Sequence, residues 1–596
     1  MKKNLRTFIS SPLGLTTGIF FVSILFLFFH QFYIFKVHPD AVYMDSLRLL
    51  HQWYDWRSGR ITFHEYWNQG SHRGFVFQAI LGLNVKLFAL DPLLANRLTG
   101  YLIAVSSFLV AFGALRMLLS EMRLVYRPAY VYAAIILSGA IFFSLAGFEV
   151  LTLDLGLGLW LKNFLIICFF LSASQLQKKQ AASWNLLFLC ILGPVIVLIF
   201  GMGWSYAFVA AFFSVQFIIW SCDCLASGKI LLRRSAIVGF ALIVSISGYI
   251  LLGQSSAASS STKNTMPAAG DLIGLVLAAL GSSLIGAESL SFYNIPVIAL
   301  TFLGAGLIGI LGAILITTLA RRRIVELAFP LYLSAYAIFA SVSICLARGG
   351  AGITSVIASR YFMDFLLLPV ALIWLVVYAI INGVSRKERF GWKILSLAYC
   401  GVIVAGLLLT NYREWRAAPY RAQAFQEMNN LLLGGDIDER NAKLLQAPLN
   451  DALKGRESLF FNKLSVFSQK IEDECKISAL GYSGGWYEPE SDGRWISQSA
   501  GIRLSQCSCP LIISLFLPSN FERREMKITG VLLAPSKVEL SPGSSYSLEL
   551  PATVRPVPVL FSLSKVTVPA ELPGGSVDSR RLGVFFSKLA YSCDSQ

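Results

Sequence analysis

Charged side chains are scarce in this sequence. They make up 14% of 596 residues, where a soluble domain carries roughly a quarter. Hydrophobic residues make up 55%. Spread evenly, that apolar excess would precipitate the chain; gathered into runs, it spans a membrane, so a soluble enzyme is excluded. Acidic residues are the scarcer sign, 34 against 50 basic, for a net charge of +16. The apolar content excludes a nucleic-acid partner, because anionic lipid also collects cations and cytoplasmic loops are rich in them. Histidine is rarer still: there are five, and none lies beyond His72. No internal repeat is present.

What is there is a series of apolar runs near the 20-residue length of a membrane helix. They cover 13–35, 98–118, 129–147, 157–175, 185–201, 203–220, 236–252, 294–319, 326–345, 362–382 and 394–410. Eleven spans place the two ends on opposite sides. Basic residues follow the even-numbered spans, at Arg123 and Arg127, Lys178 and Lys179, Lys229, Arg233 and Arg234, Arg321 to Arg323, and Arg386 to Lys393. They share a side with Lys2, Lys3 and Arg6, so the amino terminus is expected in the cytoplasm and the carboxyl end outside. Residues 75–90, broken by Asn84 and Lys86, and the Gly-rich 272–286 read as helices in the outer interface. The Ser/Ala-rich 254–266 reads as a mobile loop.

Beyond residue 411 the character changes. Residues 412–470 read as a helical connector. From 471 onward short β-prone runs such as LIISLFL and VPVLFSLSKVTV alternate with Pro, Gly and Ser clusters, the pattern of a β-sandwich. Four of ten cysteines, Cys475, Cys507, Cys509 and Cys593, fall in this external part, where disulfides persist. Cys507 and Cys509 point the same way along a strand, so each is expected to join Cys475 or Cys593, in either order, or all four remain thiols. Cys222 and Cys224 read as two interfacial thiols.

The candidate chemistry lies in the external loops. The first, KVHPDAVYMDSLRLLHQWYDWRSGRITFHEYWNQGSHRG, holds four histidines, four acids and five basic residues. It alone breaks the positive-inside bias among the short loops. An anionic, phosphorylated group would explain Arg48 and Arg73, because Arg presents a bidentate fork to phosphate; pairing within the loop and with head groups is the alternative. DSLRLLHQWY reads as an amphipathic helix with Leu47, Leu50 and Tyr54 on one face and Asp45, Arg48 and Gln52 on the other. Asp45 at its start is placed either to deprotonate a hydroxyl or to satisfy the helix dipole. Trp53, Trp56 and Trp67, with Tyr54 and Tyr66, either stack on sugar rings or form an interfacial belt. His51 and His72 join this sugar- and acceptor-binding set, and histidines beside carboxylates raise a divalent cation such as Mg or Mn, without a ligand signature.

In the second external loop, AGFEVLTLDLG, Glu149 and Asp154 are acids at membrane depth, which mark a site by default or pair with an arginine of the first loop. The fifth, ARGGAGITSVIASRYFMDF, sets Arg348 and Arg360 at the edges of a Gly-rich turn with Tyr361 beside the second. The two arginines either clamp a lipid-linked phosphate or snorkel to head groups.

In this order, Asp45, then HRGFVFQAILGLNVKLFALDPLLANRL, then GFEVLTLD, then RGGAGITSVIASRY, the layout resembles the GT-C glycosyltransferases that use polyprenyl-phosphate-linked sugars. GMGWSYAFV (201–209) is similar to the Gly-rich outer turn of such enzymes, and the resemblance covers most of 1–411. It implies an inverting transfer in which an acceptor hydroxyl, deprotonated by Asp45, attacks the anomeric carbon while Arg348 and Arg360 stabilise the departing lipid phosphate. Relatives often carry a paired acid in the first loop; Ser46 follows Asp45 here, so Asp40 stays open as the base. GGWYEPESDGRWISQSAGIRL resembles the jelly-roll-like β-sandwich appended to some bacterial membrane glycosyltransferases. There Trp486, Tyr487, Glu488, Glu490, Arg494 and Trp495 form either a glycan-contacting surface or core aromatics with a Glu–Arg pair.

The expectation is therefore a polytopic α-helical membrane protein with a transmembrane catalytic domain (1–411), a helical connector (412–470) and a periplasmic all-β sandwich (471–596). It would move one sugar from a polyprenyl-phosphate donor to a glycan or glycolipid acceptor, O-antigen or another lipopolysaccharide component, at a bacterial inner membrane. The rivals are a transporter or flippase of lipid-linked glycans, which places ionisable groups near the midplane of broken helices, and a ligase resembling those for O-antigen, which needs a large late loop.

Overall fold

The computed structural model describes residues 11–69, 72–119, 128–176, 183–201, 203–227, 233–252, 268–321, 323–382, 386–434, 437–468, 480–504, 509–530, 533–551, 557–573 and 577–592. Absences and counts below refer to these. The Ser/Ala-rich loop 254–266 and three of the external cysteines lie outside them.

Ten helices are long and apolar enough to cross a bilayer, which makes the chain a multi-pass membrane protein. In chain order the principal helices are α1 (Pro12–Val37), α2 (Asp45–Arg57), α3 (Val76–Phe88), α4 (Pro92–Leu119), α5 (Pro128–Phe142), α6 (Phe148–Thr152), α7 (Gly156–Ala173), α8 (Ser183–Val195), α9 (Trp204–Ser227), α10 (Arg233–Leu252), α11 (Ala269–Gly281), α12 (Ala287–Phe292), α13 (Ile298–Ala320), α14 (Ala328–Arg348), α15 (Phe362–Phe365), α16 (Leu367–Asn382), α17 (Arg386–Gly434) and α18 (Leu449–Phe461). The tenth expected span is broken: Ile353–Phe365 and Leu367–Asn382 meet at 44°. The last expected span is not a separate element ending near 411. It belongs to α17, whose 49 residues reach about 73 Å at 1.5 Å per residue, far beyond the ~30 Å hydrocarbon core. The composition changes at 411 but the helix does not stop, because NYREWRAAPYRAQAFQEMNN keeps good helix formers on both sides.

The chain forms two compact units. One comprises 1–39, 58–80 and 93–422; the other comprises 40–57, 81–92 and 423–596. The amphipathic helix of the first loop thus groups with the C-terminal part of the chain.

In the first unit, aromatic side chains lock the central helices. Phe170 of α7 stacks on Tyr332 of α14 at 5.0 Å, and Phe169 meets Phe208 of α9 edge-on at 4.8 Å. α11 and α13 approach until their backbones touch. A Cβ on Gly281 would collide with the Leu300 carbonyl, and one on Gly304 with that of Leu277, the close crossing that small residues permit. The 272–286 stretch is thus a helix packed on α13 and α14, while 75–90 supplies α3; at 13 residues each, neither helix is long enough to cross.

In the second unit, α2 packs on α18, with Leu47 seated over Gly455, and Trp53 lies over Gly82 of α3. Nine strands follow: β1 (Gly481–Ser483), β2 (Arg494–Trp495), β3 (Ser499–Leu504), β4 (Leu511–Phe516), β5 (Arg524–Gly530), β6 (Leu533–Leu540), β7 (Ser545–Leu550), β8 (Val557–Leu563) and β9 (Phe585–Tyr591). They form two antiparallel sheets, β1-β3-β8-β5-β6 and β2-β9-β4-β7. This is the connectivity of two interleaved Greek keys with β1 added at one edge. Alternating residues of both sheets, among them Ile502, Ile513, Met526, Phe561 and Phe586, share one core, as period-2 alternation requires. Cys509 is disulfide-bonded, so it does not remain a thiol; Cys222 is not disulfide-bonded.

Candidate functional site

The first unit gathers six charged side chains from four segments. After α5 the chain turns through Ser144, whose hydroxyl accepts from the Ala146 amide, and enters α6 with Glu149 in its first turn. The Leu145 amide donates to Asn411 Oδ1 at 2.9 Å, tying this turn to α17. A single 3₁₀ turn, Ser359–Tyr361, supplies two partners. Ser359 Oγ donates to Glu149 Oε2 at 2.9 Å and Arg360 Nη1 to Oε1 at 3.1 Å. From α17, Arg421 grips Glu414 with both Nε and Nη2, at 2.9 and 3.0 Å, and Arg413 bonds the same carboxylate. The Arg421 guanidinium lies 3.3 Å from the centroid of the Phe148 ring, a cation–π contact.

The sixth group is Glu288 on α12. Gly286, just before this helix, donates its amide to Thr410 Oγ1 at 3.0 Å and lies against Ala146. Glu288 is thereby held in the field of Arg413, Arg421 and Glu149, and burial pushes its carboxyl above the usual range.

The expected site residues divide between the units. In the first unit, Glu149 pairs with Arg360 of the fifth loop rather than with an arginine of the first. Asp154 is buried and accepts from the Leu155 amide at 2.9 Å, at the entry to α7. Arg348 is exposed at the carboxyl end of α14, where a cation suits the helix dipole. Tyr361 stands 5.4 Å from the Arg360 guanidinium. Trp67 is buried, its indole donating to the Leu198 carbonyl at 3.2 Å; it offers no free face for a sugar. The side chains of His72 and Arg73 lie outside the described residues.

In the second unit, Asp45 opens α2 with 55% of its side chain exposed, and Arg48 bonds it through Nη2 at 3.1 Å. Arg48 is therefore engaged by the expected base. Asp40 accepts from Asn429 Nδ2 at 2.9 Å. His51 lies between two acids, 3.6 Å from Asp55 and 3.4 Å from Asp451. Trp53 is buried beneath Arg57, which corrects its assignment to sugar stacking; Trp56 is the exposed tryptophan of the helix. In the sandwich, Trp486 donates to the Gly501 carbonyl at 2.7 Å and packs on Phe586, while Trp495 packs on Phe521 and Phe585. Glu490 pairs with Arg580 at 2.8 Å, not with Arg494. The two tryptophans are half-buried and pack against the sandwich core, and the Glu490–Arg580 pair is exposed.

Four members of the charged cluster, Glu288, Arg413, Glu414 and Arg421, escape a reading by loops, because α12 is short and α17 was divided at 411. A second polar centre escapes it too. Lys162 Nζ lies 2.6 Å from Asp364 Oδ1, both fully buried, and Tyr336 donates to the same oxygen at 2.8 Å. Lys162 also faces the Trp204 ring at 4.1 Å. The available signal was one lone cation and one lone acid inside otherwise apolar spans.

Among the described residues no group of three His, Cys, Asp or Glu side chains is arranged to hold a metal ion, so the Mg or Mn expectation finds no ligand set there. Comparison with protein-family models, with curated proteins and with solved structures finds no match to this chain.

Proposed function

We propose that the chain is an inverting glycosyltransferase of GT-C type. It moves a single sugar from a polyprenyl-phosphate donor to a cell-envelope glycan on the periplasmic face of a bacterial inner membrane. The observation that carries this reading is the pairing of Glu149 with Ser359 and Arg360, 211 residues apart in the last case. The two loops that the resemblance assigns to one site share side-chain hydrogen bonds. Asp45, exposed at a helix start, suits the base, and Asp40, held by Asn429, suits a positioning role. Trp56 remains for the sugar. The cysteine disulfide at Cys509 fits an oxidising compartment for the C-terminal unit, and the interleaved Greek keys fit a jelly roll.

The test is to incubate the full chain, in proteoliposomes, with a polyprenyl-phosphate-linked labelled sugar and an envelope glycan. The expected products are the extended glycan and free polyprenyl phosphate. Passage of the intact lipid-linked glycan across the bilayer, without polyprenyl phosphate release, would instead identify a transporter. One observation favours that second reading: Lys162 and Asp364 meet beside the 44° break between α15 and α16, and transporters place ionisable groups at broken helices.

A further inference from the structure

β3 turns Ala500, Ile502 and Leu504 into the core of the sandwich. Alternation therefore turns Gly501 and Arg503 to the opposite face of the sheet. A second layer lies over that face. Phe460 of α18 stands against Gly501, and Gly484, beside β1, donates its amide to the Leu433 carbonyl of α17 at 2.7 Å. Arg503 is left only 5% exposed. Its Nε is buried without a hydrogen-bond partner, and among the described residues no ion pair or hydrogen bond reaches its guanidinium. A second buried arginine of the sandwich, Arg524, shows the contrast: it donates to the Gly583 carbonyl at 2.8 Å and to the Thr567 hydroxyl at 2.7 Å. Burial pulls the Arg503 guanidinium down to about 10 with no acid opposing it, so it is still charged at pH 7. A buried charge without compensation is costly.

The strand register explains why no neighbour supplies that compensation. Gly481 of β1 stands opposite Arg503 on one side and Pro558 of β8 on the other, and neither has a side-chain acceptor. The acids that share this sheet face, Glu525 and Glu539, are already paired with Lys537 and Arg523. β1 is the edge strand of its sheet. One strand spacing, about 4.8 Å, therefore separates Arg503 from the edge, on the side where Gly481 sets no side chain in the way. We infer that Arg503 anchors a binding site for a small oxyanion, a carboxylate or phosphate group, which enters over the sheet edge past Gly481. The unpartnered Nε, with one Nη, makes a fork that two oxygens of such a group fit. The carboxylate of a sugar acid and the phosphate of a glycan or head group share this chemistry. The inference does not depend on sugar transfer.

The test is hydrogen exchange of segment 499–504 in the full detergent-solubilised chain, in sodium phosphate, sodium glucuronate or, as control, sodium chloride at matched ionic strength. Exchange should be about tenfold slower in at least one oxyanion, as for a ligand at about ten times its Kd. Slowing by phosphate alone identifies a phosphorylated ligand, and slowing by glucuronate alone a sugar acid; either supports the site. Salts excluded from the protein surface slow exchange in every variant, so the signal is the difference from Arg503→Met. Arg503→Lys, which keeps the charge but loses the fork, should weaken the effect. Gly481→Val, which fills the entry and keeps the guanidinium, should abolish it. In chloride, Arg503→Met should unfold at a midpoint no lower than wild type, because it removes a charge that nothing compensates. Equal exchange in wild type and Arg503→Met in both oxyanions, wild-type slowing in Gly481→Val, or a lower chloride midpoint for Arg503→Met would overturn the inference. Loss of sugar transfer with this binding intact would instead count against the proposed function alone.

Discussion

Lys162 and Asp364, 202 residues apart, meet at 2.6 Å with neither side chain exposed. Tyr336 completes the contact, and Asn163 donates to the adjacent Met363 carbonyl at 2.8 Å. The pair ties α7 to the start of α15, three residues beyond Tyr361, and so fixes the turn that carries Ser359 and Arg360. The ion pair touches neither Glu149 nor Arg360 and anchors the segment that follows the turn.

Removing one partner leaves a buried charge without compensation, which costs about 3–5 kcal/mol. Asp364→Ala and Lys162→Met should each lower the thermal midpoint of the detergent-solubilised chain markedly. The double variant Lys162→Met/Asp364→Leu should recover most of the loss. Equal losses in the single and double variants would show that the charges do not compensate each other.

The α11–α13 crossing tolerates no side chain at two positions. Gly304→Ala should destabilise by more than the ~1–3 kcal/mol typical of overpacking, because the obstacle is the Leu277 carbonyl rather than a movable side chain. Gly306→Ala on the same helix meets nothing within 4 Å and should be nearly silent. Thermal unfolding of the two variants side by side decides the point.

If Asp45 is the base, Asp45→Asn should lower kcat by about 10²–10⁴-fold in the proteoliposome assay. Its exposure and its single-turn pairing with Arg48 put the stability change below about 1 kcal/mol. Retention of full transfer would move the role to Asp40.

In the sandwich, Arg580 hydrogen-bonds to Asp578 and holds its carboxyl below the usual range. A depressed folded value contributes stability that is present above the unfolded value, about 3.9, and is lost as pH falls through the folded one. Asp578 is solvent-screened, so the contribution is below about 1 kcal/mol. Asp578→Asn should reduce hydrogen-exchange protection of β9 at pH 7, by an amount that shrinks as pH falls below the unfolded value.

A reporter fused after Gln596 should read as external, and Cys509 should resist alkylation until a reductant is added. A cytoplasmic reading would reverse the proposed sidedness of every loop.

Much of this was legible in one dimension. The spans are visible because a helix in hydrocarbon must satisfy its own backbone and present apolar side chains for about 20 residues. The strands of the C-terminal part are visible because a two-sided core imposes period 2, and Asp45 with Arg48 is visible because i and i+3 share a helix face. None of these needs a distant partner. Composition hid the continuity of α17, because a helix leaving the bilayer changes its side chains without changing its backbone.

The sequence by itself determined that the chain crosses a membrane many times and ends in a β-rich part, since hydropathy and periodicity are local properties. Only the tertiary structure decided which charges meet. It joined Glu149 to Arg360, gave Arg413 and Arg421 one shared carboxylate, and set Glu288 among them. It seated Trp53 and Trp67 inside, paired Glu490 with Arg580, and hid Lys162 against Asp364. Charge pairing acts across space between residues tens to hundreds of positions apart, and the energy of each pair depends on how much water the surrounding fold removes.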